Sequence, residues 1–377
     1  MGNQKSKDSR INGKNEKHSG SVAKSISLRS LANTEKGKNP EKEFEEIPVY
    51  TESYVDEINQ SVFAPKVTSI FCPEFGFRSD ISSSDFKYLS KLGEGTFSTV
   101  YQAAWLTKKN KIVAIKVQNK SIILNKGASK QIKRESDIHK AVYNSTFIAC
   151  YYDCWQTSNY LFTVMECVDG FGDLYSLWKE NKTFSENAIR IYAAEIGTVL
   201  DFLRSKNVIY RDFKMENLAL TSKRHIKLID FGFAKKLMEN EKASTICGTL
   251  QYMPPEVAKE QLYSFEVDWW CFGVVLYVIS ENQYPYSSNN AKSHSELIYD
   301  STITYSHTSD ILKDLISKLL APNPTERLST IDDLKEHKFF PKTFEFDNLL
   351  NYEIDVTEIK QVIIEKDKKP SYNLLRW

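Results

Sequence analysis

Between Phe86 and Val117 apolar and polar residues alternate, with Tyr88, Leu89 and Leu92 early in the run. A period near two predicts strands with one face turned to a core. The period then lengthens, and Ile132, Ile138 and Val142 share one face of a helix predicted around Glu135. Tyr160 to Val168 is a short apolar run that reads as the last strand of this region. Farther on, Glu186 to Leu203 and Ser264 to Ile279 carry apolar residues at i, i+3 and i+4, the stripe of packed helices. Strands first and helices afterwards predict an α+β chain, with a β-rich stretch over 86–168 and a mainly helical one over 169–340. No internal repeat is visible.

Outside those stretches the pattern changes. Residues 1–42 hold ten Lys and Arg against four Asp and Glu and no aromatic residue, so they cannot bury enough apolar surface to offset ordering entropy and are expected to be disordered when free. Residues 43–85 are mixed, with Tyr50, Tyr54, Phe63, Phe71, Phe75 and Phe77 irregularly spaced, and are expected to lie against those stretches. Residues 341–377 form a tail ending Leu374-Leu-Arg-Trp377.

Composition narrows the function classes. A hydrophobic content of 41% in 377 residues supports a sizeable core, and a net charge of +1 argues against wholesale nucleic-acid binding. No run approaches the about 18 apolar residues of a membrane span, and no apolar leader opens the chain, so a cytoplasmic protein is expected. Six cysteines (Cys72, Cys150, Cys154, Cys167, Cys247 and Cys271) lack zinc spacing and read as buried, reduced thiols.

The chemistry concentrates in 210–232, YRDFKMENLALTSKRHIKLIDFG. Asp212 is followed five residues later by Asn217 and thirteen beyond that by Asp230. Phosphoryl transfer needs one carboxylate to orient the attacking hydroxyl and oxygen ligands to hold Mg²⁺ on the nucleotide phosphates, and these residue types stand in that order. Upstream, Gly93-Glu-Gly-Thr-Phe-Ser-Thr-Val100 precedes Val113-Ala-Ile-Lys116, and Glu135 lies nineteen residues past Lys116. A glycine-rich hairpin followed by a strand lysine differs from the strand-loop-helix of a dinucleotide site. Cys247-Gly-Thr, Pro254-Pro-Glu256, Asp268-Trp-Trp and Arg327 follow downstream.

These motifs, from Phe86 to Phe340, resemble the AGC-family serine/threonine protein kinases, most of all the cAMP-dependent protein kinase catalytic subunit. The resemblance implies a bilobal protein kinase fold that binds ATP and Mg²⁺ between its lobes and passes the γ-phosphoryl group to protein substrates. It implies Asp212 and Lys214 as catalytic residues and Asn217 and Asp230 as metal ligands. Leu92, Gly93, Gly95, Val100, Ala114, Lys116, Glu135, Met165, Glu166 and Val168 would surround ATP, with Glu135 orienting Lys116. Thr245 would carry an activating phosphate anchored by Arg211 and Lys235, and Asp173 and Glu216 would read basic residues in a peptide. A cyclic-nucleotide-binding regulatory subunit is a partner the resemblance leaves open. The alternative is a nucleotide-binding pseudokinase scaffold, which is expected to lack one of these groups; none is missing. A small-molecule kinase is disfavoured by the stretch from Thr249 to Glu256, which in the family receives a peptide.

Several positions depart from the family pattern. Ser98 replaces the third glycine of the loop, which is acceptable if its φ is negative. Ala219 stands where a larger aliphatic floors the adenine, His139 replaces an apolar residue one turn after Glu135, and Val278 replaces a glutamate that helps read a substrate arginine. The tail either returns to a groove on the small lobe through Leu374 and Trp377 or stays frayed. The opening MGNQKS fits N-myristoylation at Gly2, and with Lys5, Lys7 and Arg10 it predicts reversible membrane association alongside a cytoplasmic pool.

Overall fold

A computed structural model describes residue 75 and residues 80–350, apart from 96–97, 171, 182–183 and 287–289, all within the compact unit Tyr50–Trp377. Gly2, Cys72, Leu374 and Trp377, and with them the expectations for residues 1–42, most of 43–85 and the end of the tail, lie outside the described residues.

Five strands form one antiparallel sheet: β1 (Phe86–Glu94), β2 (Ser98–Trp105), β3 (Lys111–Asn119), β4 (Tyr151–Gln156) and β5 (Tyr160–Glu166), in the order β1-β2-β3-β5-β4. Alternation sorts β3 by face. Val113, Ile115 and Val117 join a core with Phe86, Trp105, Trp155 and Phe162, whose rings pack with centroids 4.5–5.2 Å apart. Ala114 faces the opposite way, into a separate cluster with Leu92, Val100 and Met165. Lys116, two residues on, takes that second face, as a side-chain period of two requires. Between β3 and β4 run α1 (Lys120–Asn125), capped by the Asn119 side chain, and α2 (Ser129–Val142).

Helices make the second lobe: α3 (Leu174–Asn181), α4 (Glu186–Ser205), α5 (Pro255–Ala258), α6 (Glu266–Glu281), α7 (Ala291–Asp300), α8 (Asp310–Leu319), α9 (Ile331–Glu336) and α10 (Phe346–Leu350). Short strands β6 (Val208–Ile209), β7 (Leu218–Leu220), β8 (Ile226–Leu228) and β9 (Lys235–Lys236) pair as β6 with β9 and β7 with β8. Ser185 caps α4 by accepting the Ala188 N–H at 3.1 Å, with Glu186 in the first turn and Arg204 in the last, a charge order that suits the helix dipole. α6 is buried on nearly every side, including Trp269, Trp270 and Phe272, so it is the axis on which the large lobe packs. Each such side chain taken from water contributes about 1.5–3 kcal/mol. A strand-rich lobe followed by a helical lobe is the bilobal α+β arrangement.

One sequence expectation needs amendment. Cys150, Cys154, Cys167 and Cys247 carry free thiols that are half-buried rather than buried; Cys271 is buried. Among the described residues no helix is long and apolar enough to cross a membrane.

Candidate active site

The loop after β6 turns through Arg211, whose φ of +70° is left-handed, and its position is fixed from below. The Asp268 carboxylate, at the start of α6, accepts the backbone N–H of Tyr210 and of Arg211, each at 2.8 Å. Burial pushes the Asp268 carboxyl up to about 6 against the pull of these two bonds. The core helix thereby holds a strained loop, and the next residue is Asp212.

Asp212 is buried and surrounded. Lys214 Nζ donates to its Oδ2 at 2.7 Å, Thr249 Oγ1 to its Oδ1 at 3.0 Å, and Asn217 Nδ2 to its backbone oxygen at 2.8 Å and to Oδ2 at 3.2 Å. Lys214 also reaches Thr249 Oγ1 at 3.2 Å, so one cation joins both chain segments. Burial raises the Asp212 carboxyl, while Lys214 and Thr249 oppose the rise. Thr249 arrives through Gly248, whose φ is +97°; a Cβ there would stand 2.7 Å from the Arg211 carbonyl oxygen, so only glycine permits the approach. Sequence reading placed Thr249 in the peptide-receiving stretch and missed its bond to Asp212, because it joins segments 37 residues apart.

Lys116 forms ion pairs with Glu135 of α2 and, at 3.4 Å, with Oδ1 of Asp230. Burial works against the ammonium, but Asp230 and Glu135 outweigh it and hold the lysine pKa up. Burial alone would raise Asp230, yet Lys116 and the Gly232 N–H, 3.0 Å away, keep its carboxyl below the usual range. Burial lifts Glu135 against the attraction of Lys116. Asp230 has a left-handed φ of +58°, a second strained position at the cleft.

Leu92, Val100, Ala114 and Met165 form the apolar cluster on the small-lobe side, with Cys167 against it; Val168 packs on a second cluster of Ala149, Ala219 and Ile229. Ala149 and Ile229 were not singled out from sequence, since single apolar residues beside short strands carry no periodic signal of a ligand. Gly93 pairs with Val100 and the Gly95 N–H donates to the Ser98 oxygen at 2.8 Å, closing the hairpin; Ser98 has a negative φ, the condition its substitution for glycine required. The Glu166 side chain turns from the cleft, accepting the Cys150 N–H at 2.9 Å and pairing with Lys227 at 3.1 Å, so only its backbone is available to a nucleotide.

Thr245 is exposed, and its carbonyl accepts from Tyr263 Oη at 2.6 Å. Arg211 Nη1 donates to that same hydroxyl at 3.3 Å and Arg211 Nε to the Phe233 oxygen at 2.7 Å. Lys235 pairs instead with Glu241 at 2.7 Å. Arg134 of α2, a residue not singled out from sequence, has its pKa lowered by burial and by Arg211, and its Nε is buried without a hydrogen-bond partner. Asp173 is buried and caps α3, accepting the Ser176 N–H at 2.6 Å; Glu216 is pushed up by burial and keeps Oε2 buried without a partner.

The residues present suit Mg²⁺. Asp230 is an anionic oxygen donor, and Asn217 directs its amide nitrogen to Asp212, so its amide oxygen is the hard ligand it can offer. Among the described residues no group of three His, Cys, Asp or Glu could cage a metal alone. Mg²⁺ needs no such cage, since it binds through one or two protein oxygens together with substrate phosphates.

Two lobes, a strand lysine paired to a helix glutamate and an aspartate loop held by a core helix define a protein kinase. The protein kinase domain family matches residues 86–340, and the chain belongs to that family. It is 40% identical over 286 residues to a putative serine/threonine-protein kinase of Caenorhabditis elegans, covering 76% of this chain and 65% of that one. It is 34% identical over 280 residues to the human ribosomal protein S6 kinase-related protein (73% and 67%) and 35% identical over 276 residues to human serine/threonine-protein kinase Sgk1 (72% and 63%). The chain thus spans about two thirds of the length of these relatives. Such relatives lie on the AGC branch, and the likeness to the cAMP-dependent kinase is one of branch rather than of member.

Proposed function

We propose that the protein transfers the γ-phosphoryl group of ATP to serine and threonine hydroxyls of protein substrates. The observation that carries this reading is Asp212, held by Lys214, Asn217 and Thr249 and within electrostatic reach of Asp230, itself part of the Lys116–Glu135–Asp230 triad. In it Lys116 holds the α and β phosphates, and Glu135 keeps Lys116 from swinging away. Asp212 orients the acceptor hydroxyl and accepts its proton as the oxygen bonds to the γ phosphorus and ADP departs. Lys214 offsets charge on the transferred group. Asp230 and Asn217 would hold Mg²⁺, which when bound neutralises charge on the nucleotide's phosphate oxygens.

A basophilic preference is part of the proposal. Glu216 Oε2 is a buried acceptor with no partner, a costly state that a substrate arginine would relieve. Asp173 already serves the α3 cap, so Glu216 carries more of the recognition. Profiling the purified protein on a peptide library tests both levels. Arginine two or three residues before the acceptor is the expected preference, weakened by Glu216→Gln; preference for proline-directed or acidic peptides contradicts it.

Acylation at Gly2 with a cytoplasmic pool and reversible membrane contact is a further element. One acyl chain gives only marginal binding, of order 10⁴ M⁻¹, which nearby basic residues would raise. Gly2→Ala should move the protein to the soluble fraction; an unchanged distribution contradicts the element. Control by a separate regulatory subunit is tested by adding candidate subunits to the same peptide assay.

A further inference from the structure

Phe75 lies eleven residues before β1, outside the span matched by the kinase family, yet it is buried. Its partners are Ile123 of α1, Ala128 and Ile132 at the start of α2, and Leu161 of β5, which together form one apolar cluster. Its carbonyl oxygen accepts from Gln156 Nε2 at 2.7 Å. Gln156 is itself oriented: its Oε1 accepts from Lys120 Nζ at 2.7 Å, and Lys120 also donates to the Thr157 oxygen at 2.5 Å. Lys120, Gln156 and Phe75 are all buried, so an ordered donor, fixed from behind by an ammonium, meets this backbone carbonyl as the ring enters the groove.

We propose that Phe75 is a positioning residue for phosphoryl transfer: the chain preceding the kinase domain wedges its own aromatic ring between α1, α2 and β5 and thereby sets α2. Ile132, which shares the apolar cluster with Phe75, stands three residues before Glu135, less than one helical turn. Gln131, beside Ile132, donates to the Gly232 oxygen at 3.2 Å, next to the Asp230 turn. A shift of α2 at its first turns moves Glu135 away from Lys116 and Gln131 away from Gly232 together.

The inference rests on the kinase reading, and its test separates the two. In the full-length chain, Phe75→Ala removes the ring and Gln156→Leu removes the donor that receives the Phe75 carbonyl. Each should raise KM for ATP and lower kcat, with kcat/KM falling about 10- to 100-fold, the scale of an ångström-level misplacement of catalytic groups. Hydrogen exchange should quicken in α2 while α6 keeps its protection. Phe75→Leu, which keeps apolar bulk, should recover most of the loss. Kinetics within twofold of the unaltered protein in both variants, or exchange rising equally in α6, overturns the proposal. Should Phe75→Ala fail to fold, Gln156→Leu decides alone. Should the unaltered protein prove inactive, the kinase reading fails, and the exchange pattern still decides whether Phe75 holds α2.

Discussion

The imidazole of His139 is stacked on the ring of Phe231, centroids 4.9 Å apart at 23°, while its Nε2 lies 2.7 Å from the Ala149 carbonyl oxygen. Tyr151 meets the imidazole edge-on at 5.5 Å, and Tyr210 meets Phe231 edge-on at 5.4 Å. Four rings thus run from β4 through α2 to the Asp230 turn and the loop that bears Asp212. His139 is a satisfied core group in this column, and its protonation would place a charge between two aromatic rings.

Burial lowers the His139 pKa to about 4, with Lys116 lowering it further and the Ala149 bond and Asp230 opposing. The unfolded chain binds this proton near pH 6.5, so between pH 6.5 and 4 the unfolded state is the better proton acceptor. The contribution is whole above pH 6.5 and lost as pH falls through that window, by about 2 kcal/mol at pH 5. Buried carboxylates such as Asp268, pushed up to about 6, act in the opposite direction, so the comparison must isolate the histidine. Urea unfolding at pH 7 and pH 5 should show a smaller loss in His139→Leu than in the unaltered protein. Identical pH dependence of the two would show that His139 does not titrate as argued.

Thr245 should carry phosphate in the active form. Arg134 and Arg211 repel one another, and a phosphate of charge about −1.5 to −2 beside them would replace that repulsion with charge-assisted hydrogen bonds. Lys235 would have to leave Glu241 to join them, so Arg211 and Arg134 should matter more. At about 1.5–3 kcal/mol for a hydrogen bond to a charged group, Thr245→Ala should cost activity tenfold or more. Mass spectrometry of fully active enzyme without phosphate at Thr245 or the adjacent Ser244 sinks the idea.

Arg327 and Glu256 form a bidentate pair at 2.6 and 3.0 Å, both side chains buried, with Arg327 also over the Trp270 ring. Removing one partner strands the other as a buried charge, so Arg327→Met should destabilise the large lobe by about 3–5 kcal/mol. The double variant Arg327→Met/Glu256→Leu should recover much of that loss in chemical denaturation. A single variant within 1 kcal/mol of the unaltered protein, a figure typical of exposed pairs, contradicts the assignment.

What the sequence disclosed and what it withheld divide along physical lines. Lys116, Asp212, Asn217 and Asp230 were legible because backbone geometry fixes the spacing of strand, loop and turn, and a side-chain type can be read at each fixed point. The helices over 186–203 and 264–279 were legible from their stripes, their ends falling within two residues of α4 and α6. Contacts joining distant segments were not legible. Thr249 with Asp212, Arg134 with Arg211, and the buried pair of Glu195 with His225 depend on how helices and loops dock, and no periodicity encodes that. Phe75 was withheld for another reason, being one of seven aromatic residues at irregular spacing in 43–85, and its groove is built by residues 123 to 161.

The central claim is that Asp212 serves the acceptor hydroxyl while Asp230 serves the metal and nucleotide. It is tested most directly by measuring ATP affinity, with and without Mg²⁺, beside single-turnover transfer to peptide in Asp212→Asn and Asp230→Ala. The account predicts that Asp212→Asn lowers the transfer rate by about 10²- to 10⁴-fold with nucleotide affinity nearly intact, whereas Asp230→Ala loses the Mg²⁺-dependent part of the affinity. Equal loss of nucleotide affinity in both variants, or rapid transfer by Asp212→Asn, would contradict it.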